Sequence, residues 1–219
     1  MHRFYVPSSA LAQQPVVFTS LADDTAGGDT NGDGDASGPN SGDWGAIDFH
    51  SGATASSVAY AEIRYAGNWY YQAVLVDGGS PTFSHVAIRD AMTRGLSISG
   101  TAGGTFSNLI VERTGGTGIE ATGSLATGLT GVSIDRTGLA LGMGGWGNSG
   151  IRVWGSTTTI HNAEISHVPG WAVEIPMAAW PSVSGLAVDA ATTGYAGSVN
   201  VSGTLTANCT PQADATWSV

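Results

Sequence analysis

The chain repeats itself most clearly where the sequence FSHVAI, at residues 83–88, returns as FSNLIV at residues 106–111, 23 positions further along. A second pair keeps the same spacing, since GLSISG at residues 95–100 returns as GIEATG at residues 118–123. Apolar residues alternate with polar ones inside each unit, which is the period of a β-strand. A repeat of this length built from strands is typical of a solenoid, in which each coil packs only on its neighbours.

The same pattern extends in both directions from these two units. Repeat units begin at Val58, Phe83, Phe106, Leu129, Ile160 and Val183, with spacings of 25, 23, 23, 31 and 23. The first, fourth and sixth positions of every unit are apolar and predict stacked interior files: Val58, Ala61, Ile63; Phe83, Val86, Ile88; Phe106, Leu109, Val111; Leu129, Val132, Ile134; Ile160, Ala163, Ile165; Val183, Leu186, Val188. The third position breaks the alternation and predicts a bend between two short strands, at His85, Asn108, Gly131, Asn162 and Gly185. The fold class is therefore all-β, a parallel solenoid of about seven coils of about 23 residues each.

The repeat also divides the chain. Residues 1–15 form an unpatterned lead, residues 16–205 form the solenoid, and residues 206–219 form a C-terminal tail. Two insertions interrupt the solenoid, an Asp-rich loop at 21–43 and a Gly/Trp loop at 138–150. A second strand follows a glycine at Gly95, Gly118, Gly150 and Gly170. Because no terminal helix is visible to cover the last coil, we expect either further coils in a longer parent chain or end-to-end self-association.

Charge and composition exclude several partners. The formal net charge is −10, and all seven basic residues are arginines. So few cations cannot displace the counterions of a nucleic acid, which argues against DNA or RNA and favours divalent cations. No apolar run reaches the roughly 18 residues that a membrane span requires. The single cysteine, Cys209, excludes an intrachain disulfide.

Three segments near the N-terminus carry a resemblance: VVFTS at residues 16–20, GGDTNGDG at 27–34, and GDWGAI at 42–47. Together with the repeat, they make the chain similar to the right-handed parallel β-helix proteins of the pectate-lyase-like superfold, in particular to secreted and cell-surface bacterial members. The resemblance implies a single-stranded right-handed β-helix and an extracellular or cell-surface location. It does not imply an activity, because this fold hosts lyases, hydrolases, adhesins and passive stalks. The polygalacturonase and pectate-lyase motifs are absent from the coils.

The Asp-rich loop predicts a metal site. Asp29, Asn31, Asp33 and Asp35 alternate around glycines, as in the first half of an EF-hand loop, where oxygen ligands converge on calcium. The twelfth position is Asn40 instead of the usual bidentate Glu. A structural calcium ion is the expected cofactor, and a solvated acidic loop is the alternative.

The seventh position of the units predicts an outward charged file, in the order Arg64, Arg89, Glu112, Asp135, Ser166 and Asp189, with Arg113 and Arg136 one residue further on. Stacking places Glu112 beside Asp135, and two close carboxylates can raise one pKa for general acid catalysis. Glu112 and Asp135, with Arg89 and Arg136, are therefore the candidate catalytic residues. The alternative is that these charges simply pair on the sheet surface, Arg89 with Glu112 and Asp135 with Arg113.

The chain has more aromatic residues than its interior files need. Trp154 falls at an outward position if Ile151 and Val153 point inward, and Trp146 lies in the Gly/Trp loop. Exposed rings stack on sugar faces, so Trp146 and Trp154 are the candidate ligand-binding residues; packing over the corners of the coils is the alternative.

Two functions follow as hypotheses. The first is an extracellular or surface module, stabilised by calcium, that presents a face to a polysaccharide, a surface glycan or another partner. The second is a polysaccharide lyase or glycoside hydrolase that uses Glu112 and Asp135 with Arg89 or Arg136. An ice-binding face ranks below both, because the threonines form no regular outward Thr-x-Thr array.

Overall fold

The structure is a computed structural model that describes residues 14–139, 147–154, 157–176, 181–189, 199–202 and 217–218. The described residues form strands, turns and bends without a helix. All the paired strands are parallel, as the repeat predicts.

Two parallel sheets run along the stack of coils. The first sheet contains β1 (Val16–Phe18), β3 (Ser57–Arg64), β5 (Thr82–Arg89), β7 (Gly104–Glu112), β9 (Thr127–Thr130), β10 (Ser133–Asp135), β12 (Thr158–His161), β13 (Glu164–Ser166), β15 (Ser182–Ser184) and β16 (Ala187–Val188). The second sheet contains β2 (Ile47–Phe49), β4 (Val74–Asp77), β6 (Leu96–Ser99), β8 (Ile119–Ala121), β11 (Ile151–Val153), β14 (Val173–Pro176), β17 (Val199–Ser202) and β18 (Trp217–Ser218). The chain therefore visits the first sheet, turns, and visits the second sheet once in every coil.

The predicted interior files are confirmed by the pairing register. Val58 pairs with Phe83, which pairs with Phe106, and the series continues through Leu129 and Ile160 to Val183. Members in the middle of the stack, such as Phe83 and Phe106, have no exposed surface. The rings of Phe83 and Phe106 lie 5.3 Å apart between centroids, and that of Phe49 lies 5.4 Å from Phe83. Burial of these files is the main stabilising contribution, because each coil is too small to form a core alone.

The predicted bend is also confirmed. The third position of every unit has a positive φ, from 50° to 62°, at Tyr60, His85, Asn108, Gly131, Asn162 and Gly185. A left-handed residue turns the chain without a loop, so both halves of the bent strand keep their ladder bonds. A second positive-φ file follows the seventh position, at Tyr65, Asp90, Arg113, Arg136 and His167. This eighth-position file was not predicted, and it turns polar side chains toward the neighbouring coil.

Two expectations need correction. The solenoid has about six turns, not seven, one for each aligned unit, because β1 contributes only three residues against half of β3. The strand expected directly after Gly170 is β14, which begins instead at Val173, and Ala172 takes the place that glycine holds in the preceding coils. The first described strand is β1, which begins at Val16, and β18 pairs with β17.

Candidate functional site

The charged file forms as the register predicts. Arg64 pairs with Arg89, Arg89 with Glu112, and Glu112 with Asp135. Asp135 in turn pairs with Ser166. The backbones of the two candidate catalytic carboxylates are therefore one coil apart, about 4.8 Å in the ladder direction.

Most of these charges belong to one continuous network, which we call the ion-pair chain. Its members, in order of contact, are Asp23, Arg64, Glu62, Arg89, Glu112, Arg113 and Asp90. Arg64 lies 2.8 Å from Glu62, and the Arg89 Nε lies 2.8 Å from the other oxygen of Glu62. Arg89 also contacts Glu112, as the pairing hypothesis expects. Each of the three arginines of the ion-pair chain, Arg64, Arg89 and Arg113, bridges two carboxylates, so the network crosses three coils and the base of the Asp-rich loop.

Hydrogen bonds and charges in the ion-pair chain hold two of its acids, Glu62 and Asp23, in the ionised form. The hydrogen bond from Arg64 is the strongest influence on Glu62, and with the nearby Arg89 it lowers the pKa of Glu62 despite partial burial. Burial of Asp23 alone would raise its pKa, but hydrogen bonds from Thr19 and Thr25 and the charge of Arg64 outweigh it, and the pKa is lowered.

Asp135 has a separate set of partners. Ser166 donates a hydrogen bond to its Oδ1 at 2.8 Å, and the Nδ1 of His167 lies 2.6 Å from the same oxygen. Arg136 donates to the Oδ2 at 2.6 Å. Arg113, the partner that the pairing hypothesis assigns to Asp135, instead donates to both oxygens of Asp90, at 2.7 and 3.0 Å.

These partners decide the protonation of Asp135. Burial acts to raise its pKa, but the hydrogen bonds from Ser166 and His167 and the charge of Arg136 have the larger combined effect, and the pKa is lowered. A general acid needs the opposite shift, so this environment suits an ionised carboxylate. The arrangement can hold a histidine in a fixed tautomer or pair charges, and Glu112 is already shared by Arg89 and Arg113.

A groove of about 670 Å³ runs beside the eighth-position file. Its walls include Asn40, Ser41, Asp90, Arg113, Arg136 and Leu139. The Arg136 side chain is 51% exposed and is the most accessible arginine with an ion pair in the described structure. The end of the Asp-rich loop thus lies beside a candidate catalytic residue, which sequence spacing alone does not indicate.

The Asp-rich loop brings together Asp29 and Asp33, two of the four residues that the sequence suggested as metal ligands, and adds Asp24. One carboxylate oxygen from each of these three lies within 4.8 Å of the others. Two calcium ligands on opposite sides of the ion are separated by at most about 5 Å, so the three oxygens fit one coordination sphere. Asp35 is outside this group. Asn31 accepts a hydrogen bond from the Asp33 amide at 3.2 Å and donates one to Ser37 at 3.0 Å.

Asp24 is the member of this group with a buried oxygen. Its Oδ1 has no hydrogen-bond partner within the described ranges. Desolvation and the charges of Asp29, Asp33 and Asp35 raise the pKa of Asp24. By contrast, the carboxylate of Asp29 accepts backbone hydrogen bonds from Gly32, Asp33 and Gly34, so it shapes the loop. A cation at this position would relieve the repulsion and occupy the unpartnered oxygen.

Exposed aromatic side chains border the second sheet. Trp69, Tyr70 and Tyr71 precede β4 and are 54%, 89% and 47% exposed. Trp154 follows β11 and is 56% exposed, while Ile151 and Val153 are fully buried, as the alternation predicts. The guanidinium of Arg152 lies 5.8 Å from the Trp154 ring centroid. Trp146 lies outside the described residues.

A file of mostly polar residues runs along the second sheet past these aromatics, and all its members except the buried Ser97 are partly or fully exposed. Its members are Asp48, Leu75, Ser97, Glu120, Arg152 and Glu174. Strands β4 and β11 are three ladder steps apart, about 14 Å along the stack. We call the surface defined by Trp69, Tyr70, Tyr71, Trp154 and this file the aromatic face.

Sequence reasoning missed several of these residues. Asp90 and Arg113 are 23 positions apart with opposite charges, so the repeat could have paired them. Glu62 occupies the fifth position of its unit and Arg89 the seventh position of the next, so the repeat does not predict the contact between them. Asp23 and Asp24 come from a non-repeating loop, and nothing in the sequence indicates which aspartates of that loop turn inward.

Among the described residues, no helix is long and apolar enough to cross a membrane. No family model matches the chain, and no curated protein and no solved structure matches it either. The stacked parallel coils are therefore established by the structure itself, and the function has to be argued from its surfaces.

Proposed function

We propose that this protein is an extracellular or cell-surface β-helix module of the bacterial, pectate-lyase-like type, which binds a glycan on its aromatic face and is stabilised by calcium in its Asp-rich loop. The observation that carries the proposal is the exposure of four aromatic side chains, Trp69, Tyr70, Tyr71 and Trp154, beside one sheet. Large apolar groups grouped on a surface mark interaction sites, because water is displaced from them at a gain in free energy.

The polar file beside the aromatics favours a sugar over an apolar partner. Glu120 and Arg152 supply a carboxylate and a guanidinium, which pair with sugar hydroxyls while the rings stack on sugar faces. The carboxylates of Glu120 and Glu174 are held by Arg94 and Arg152 respectively. Their positions are therefore set before a ligand arrives, which reduces the entropy lost on binding.

The Asp-rich loop supports both the cation and the location. Asp29 and Asp33 are exposed and Asp24 is only partly buried, and such open sites are typical of extracellular modules, which bind calcium at about 10⁻⁴ to 10⁻³ M. Calcium at that level is found outside cells. The ion would join the loop at Asp24 to its tip at Asp29 and Asp33.

Glycan binding is tested with an array of polysaccharides and oligosaccharides, followed by titration of any ligand found. Tyr70→Ala and Trp154→Ala should each weaken binding by about ten-fold, since truncating a buried aromatic anchor costs 1–2 kcal/mol or more. Tyr60→Ala is the matched control, because Tyr60 is an exposed tyrosine of the first sheet, where it stacks on His85. Equal affinity of the wild type and the three variants would show that the aromatic face does not bind the ligand.

The same ligands separate binding from catalysis. Lyase or hydrolase activity releases unsaturated products or reducing ends, and it should be abolished by Glu112→Gln if the charged file is catalytic. Binding without product release supports the module. Turnover that depends on Glu112 supports the enzyme in its place.

Calcium is tested by thermal melting with calcium and with a chelator. We expect calcium to raise the midpoint of the native protein. In chelator, Asp24→Asn should be neutral or stabilising, because it removes a carboxylate repelled by its neighbours. In calcium, the same variant should lose most of the increase, whereas Asp48→Asn, an exposed aspartate of β2, should retain it. An unchanged native midpoint would exclude a stabilising ion.

A further inference from the structure

The Asp-rich loop contains Asn31 followed by Gly32, and this is the single Asn–Gly pair of the sequence. Both residues are exposed, and a Cβ added to Gly32 would meet no atom within 4 Å. In such a pair, the backbone nitrogen of the glycine can attack the side-chain carbonyl carbon of the asparagine, because glycine has no Cβ to obstruct the five-membered ring that forms. Water also reaches the two residues between which the ring would form.

The attacking nitrogen has a carboxylate beside it. The Gly32 amide donates a hydrogen bond to the Oδ1 of Asp29 at 2.7 Å. Attack requires this amide to lose its proton, and a general base must lie within about 3.2 Å of the nitrogen to take it. The Gly34 amide donates to the Oδ2 of Asp29 at 2.9 Å, so the carboxylate is held in place. Asp29 is therefore placed to receive the proton.

The side chain of Asn31 is held at both ends of its amide group. Its Oδ1 accepts a hydrogen bond from the Asp33 amide at 3.2 Å. Negative charge develops on this oxygen when the carbonyl carbon is attacked, and a backbone N–H in that position stabilises the charge, as in an oxyanion hole. The Nδ2, which must leave, donates to the Ser37 hydroxyl at 3.0 Å, and a hydroxyl can also supply a proton to a leaving amine.

We propose that Asn31 is a site of spontaneous deamidation, in which the chain modifies itself with water as the only co-reactant. The Gly32 nitrogen bonds to the Cγ of Asn31, the Cγ–Nδ2 bond breaks, and the amide proton leaves with the amine as ammonia. Water then adds to one carbonyl of the cyclic imide, and the bond from that carbonyl to the Gly32 nitrogen breaks. This step restores the Gly32 N–H and leaves a carboxylate in place of the side-chain amide.

Deamidation changes the charge of the loop. Each event adds one negative charge between Asp29 and Asp33 in the chain, where the carboxylates of these two residues and Asp24 already converge. The loop therefore becomes more acidic with time. The proposal is independent of glycan and calcium binding, because every protein group in the reaction belongs to the loop itself.

Peptide mapping by mass spectrometry tests the site. The freshly purified full chain is kept in mildly alkaline buffer, and conversion appears as a gain of about 1 Da, which fragmentation of the peptide assigns to one residue. We expect conversion at Asn31 to be at least about ten-fold faster than at Asn40, an exposed asparagine of the same loop that precedes Ser41. Equal rates at the two asparagines, or no gain at Asn31, would overturn the proposal.

Two matched pairs of variants separate this chemistry from a general effect of the loop. Gly32→Ala should slow conversion at Asn31 by about ten-fold or more, whereas Gly28→Ala, at a similar positive φ and in equally open surroundings, should leave the rate unchanged. Asp29→Asn should also slow it by about ten-fold or more, because an amide is a much weaker base than a carboxylate. Asp35→Asn removes the same charge from an exposed position and should have little effect. Equal rates within either pair would refute the proposed reaction.

Discussion

Replacing Arg89 by methionine tests whether the ion-pair chain stabilises the fold. Arg89 contacts Glu62 in the coil before it and Glu112 in the coil after it, and its side chain is 26% exposed. Methionine keeps much of the length and packing of the side chain but removes the charge. The variant leaves Glu62 with Arg64 and Glu112 with Arg113 as remaining partners.

The expected loss lies between two reference values. Fully exposed ion pairs contribute about 0.2–1 kcal/mol, and hydrogen bonds to charged groups contribute about 1.5–3 kcal/mol. Glu62 and Glu112 are only 15% and 16% exposed, so screening by water is incomplete, and two contacts are lost at once. We expect the free energy of unfolding at pH 7 to fall by about 2 kcal/mol.

The loss should also depend on pH. The pKa of Glu62 is lowered in the folded protein, so its stabilising contribution is present above the pKa of the unfolded state and disappears as the pH falls through the folded value. The difference between wild type and Arg89→Met should therefore shrink in acid. Urea unfolding followed by circular dichroism at a series of pH values from 7 downward measures it.

Arg136→Met is the matched control. Arg136 is 51% exposed and contacts Asp135, which keeps Ser166 and His167 as partners. Its loss should cost less than about 1 kcal/mol. The reasoning is refuted if Arg89→Met is neutral at pH 7, if its effect equals that of Arg136→Met, or if its effect does not decrease in acid.

Two further predictions concern the coils. Val111→Ala and Val188→Ala delete the same atoms from one interior file, but Val111 is fully buried and Val188 is partly exposed. In chemical unfolding, the free energy of unfolding should fall by about 2–3 kcal/mol for Val111→Ala and by clearly less for Val188→Ala, and equal losses would mean that burial does not set the contribution of a residue in this file. Gly118→Ala would place a Cβ 2.8 Å from the Gly150 carbonyl oxygen and should lower the free energy of unfolding by about 1–3 kcal/mol, whereas the added Cβ of Gly52→Ala meets no atom within 4 Å and should leave stability nearly unchanged. A Gly118→Ala variant as stable as the wild type would contradict the tight stacking of these coils.

The repeat made the fold predictable because the same pattern of inward and outward residues occurs in several successive units. Each inward position of one unit is checked by the same position in the next, and the files that begin at Val58 and Ile63 follow the sequence alignment through six units. The charged file was predictable for the same reason. The extra turn was predicted because β1 has the composition of a strand, although it pairs along only three residues.

The candidate sites were harder to predict from the sequence wherever a contact depends on the direction of a long side chain or on the path of a loop. Glu62 reaches Arg89 diagonally across two files, and Arg113 turns to Asp90 instead of Asp135 because its positive φ directs it to the preceding coil. In the Asp-rich loop, alternation suggested Asp29, Asn31, Asp33 and Asp35, but the path of the loop brings Asp24 to Asp29 and Asp33. Calcium binding and the catalytic role of Glu112, Asp135, Arg89 and Arg136 stay predictions.

The sequence by itself determined the stacked parallel coils, the interior files, the bend at His85 and Asn108, and the neighbouring positions of Glu112 and Asp135. Those features depend on a period, and the hydrophobic effect acts on every unit in the same way. Only the tertiary structure decided which charges pair, which aspartates of the loop converge, and which aromatics remain exposed. These outcomes depend on the directions of individual side chains and on loops that occur once, where no second copy in the sequence constrains the answer.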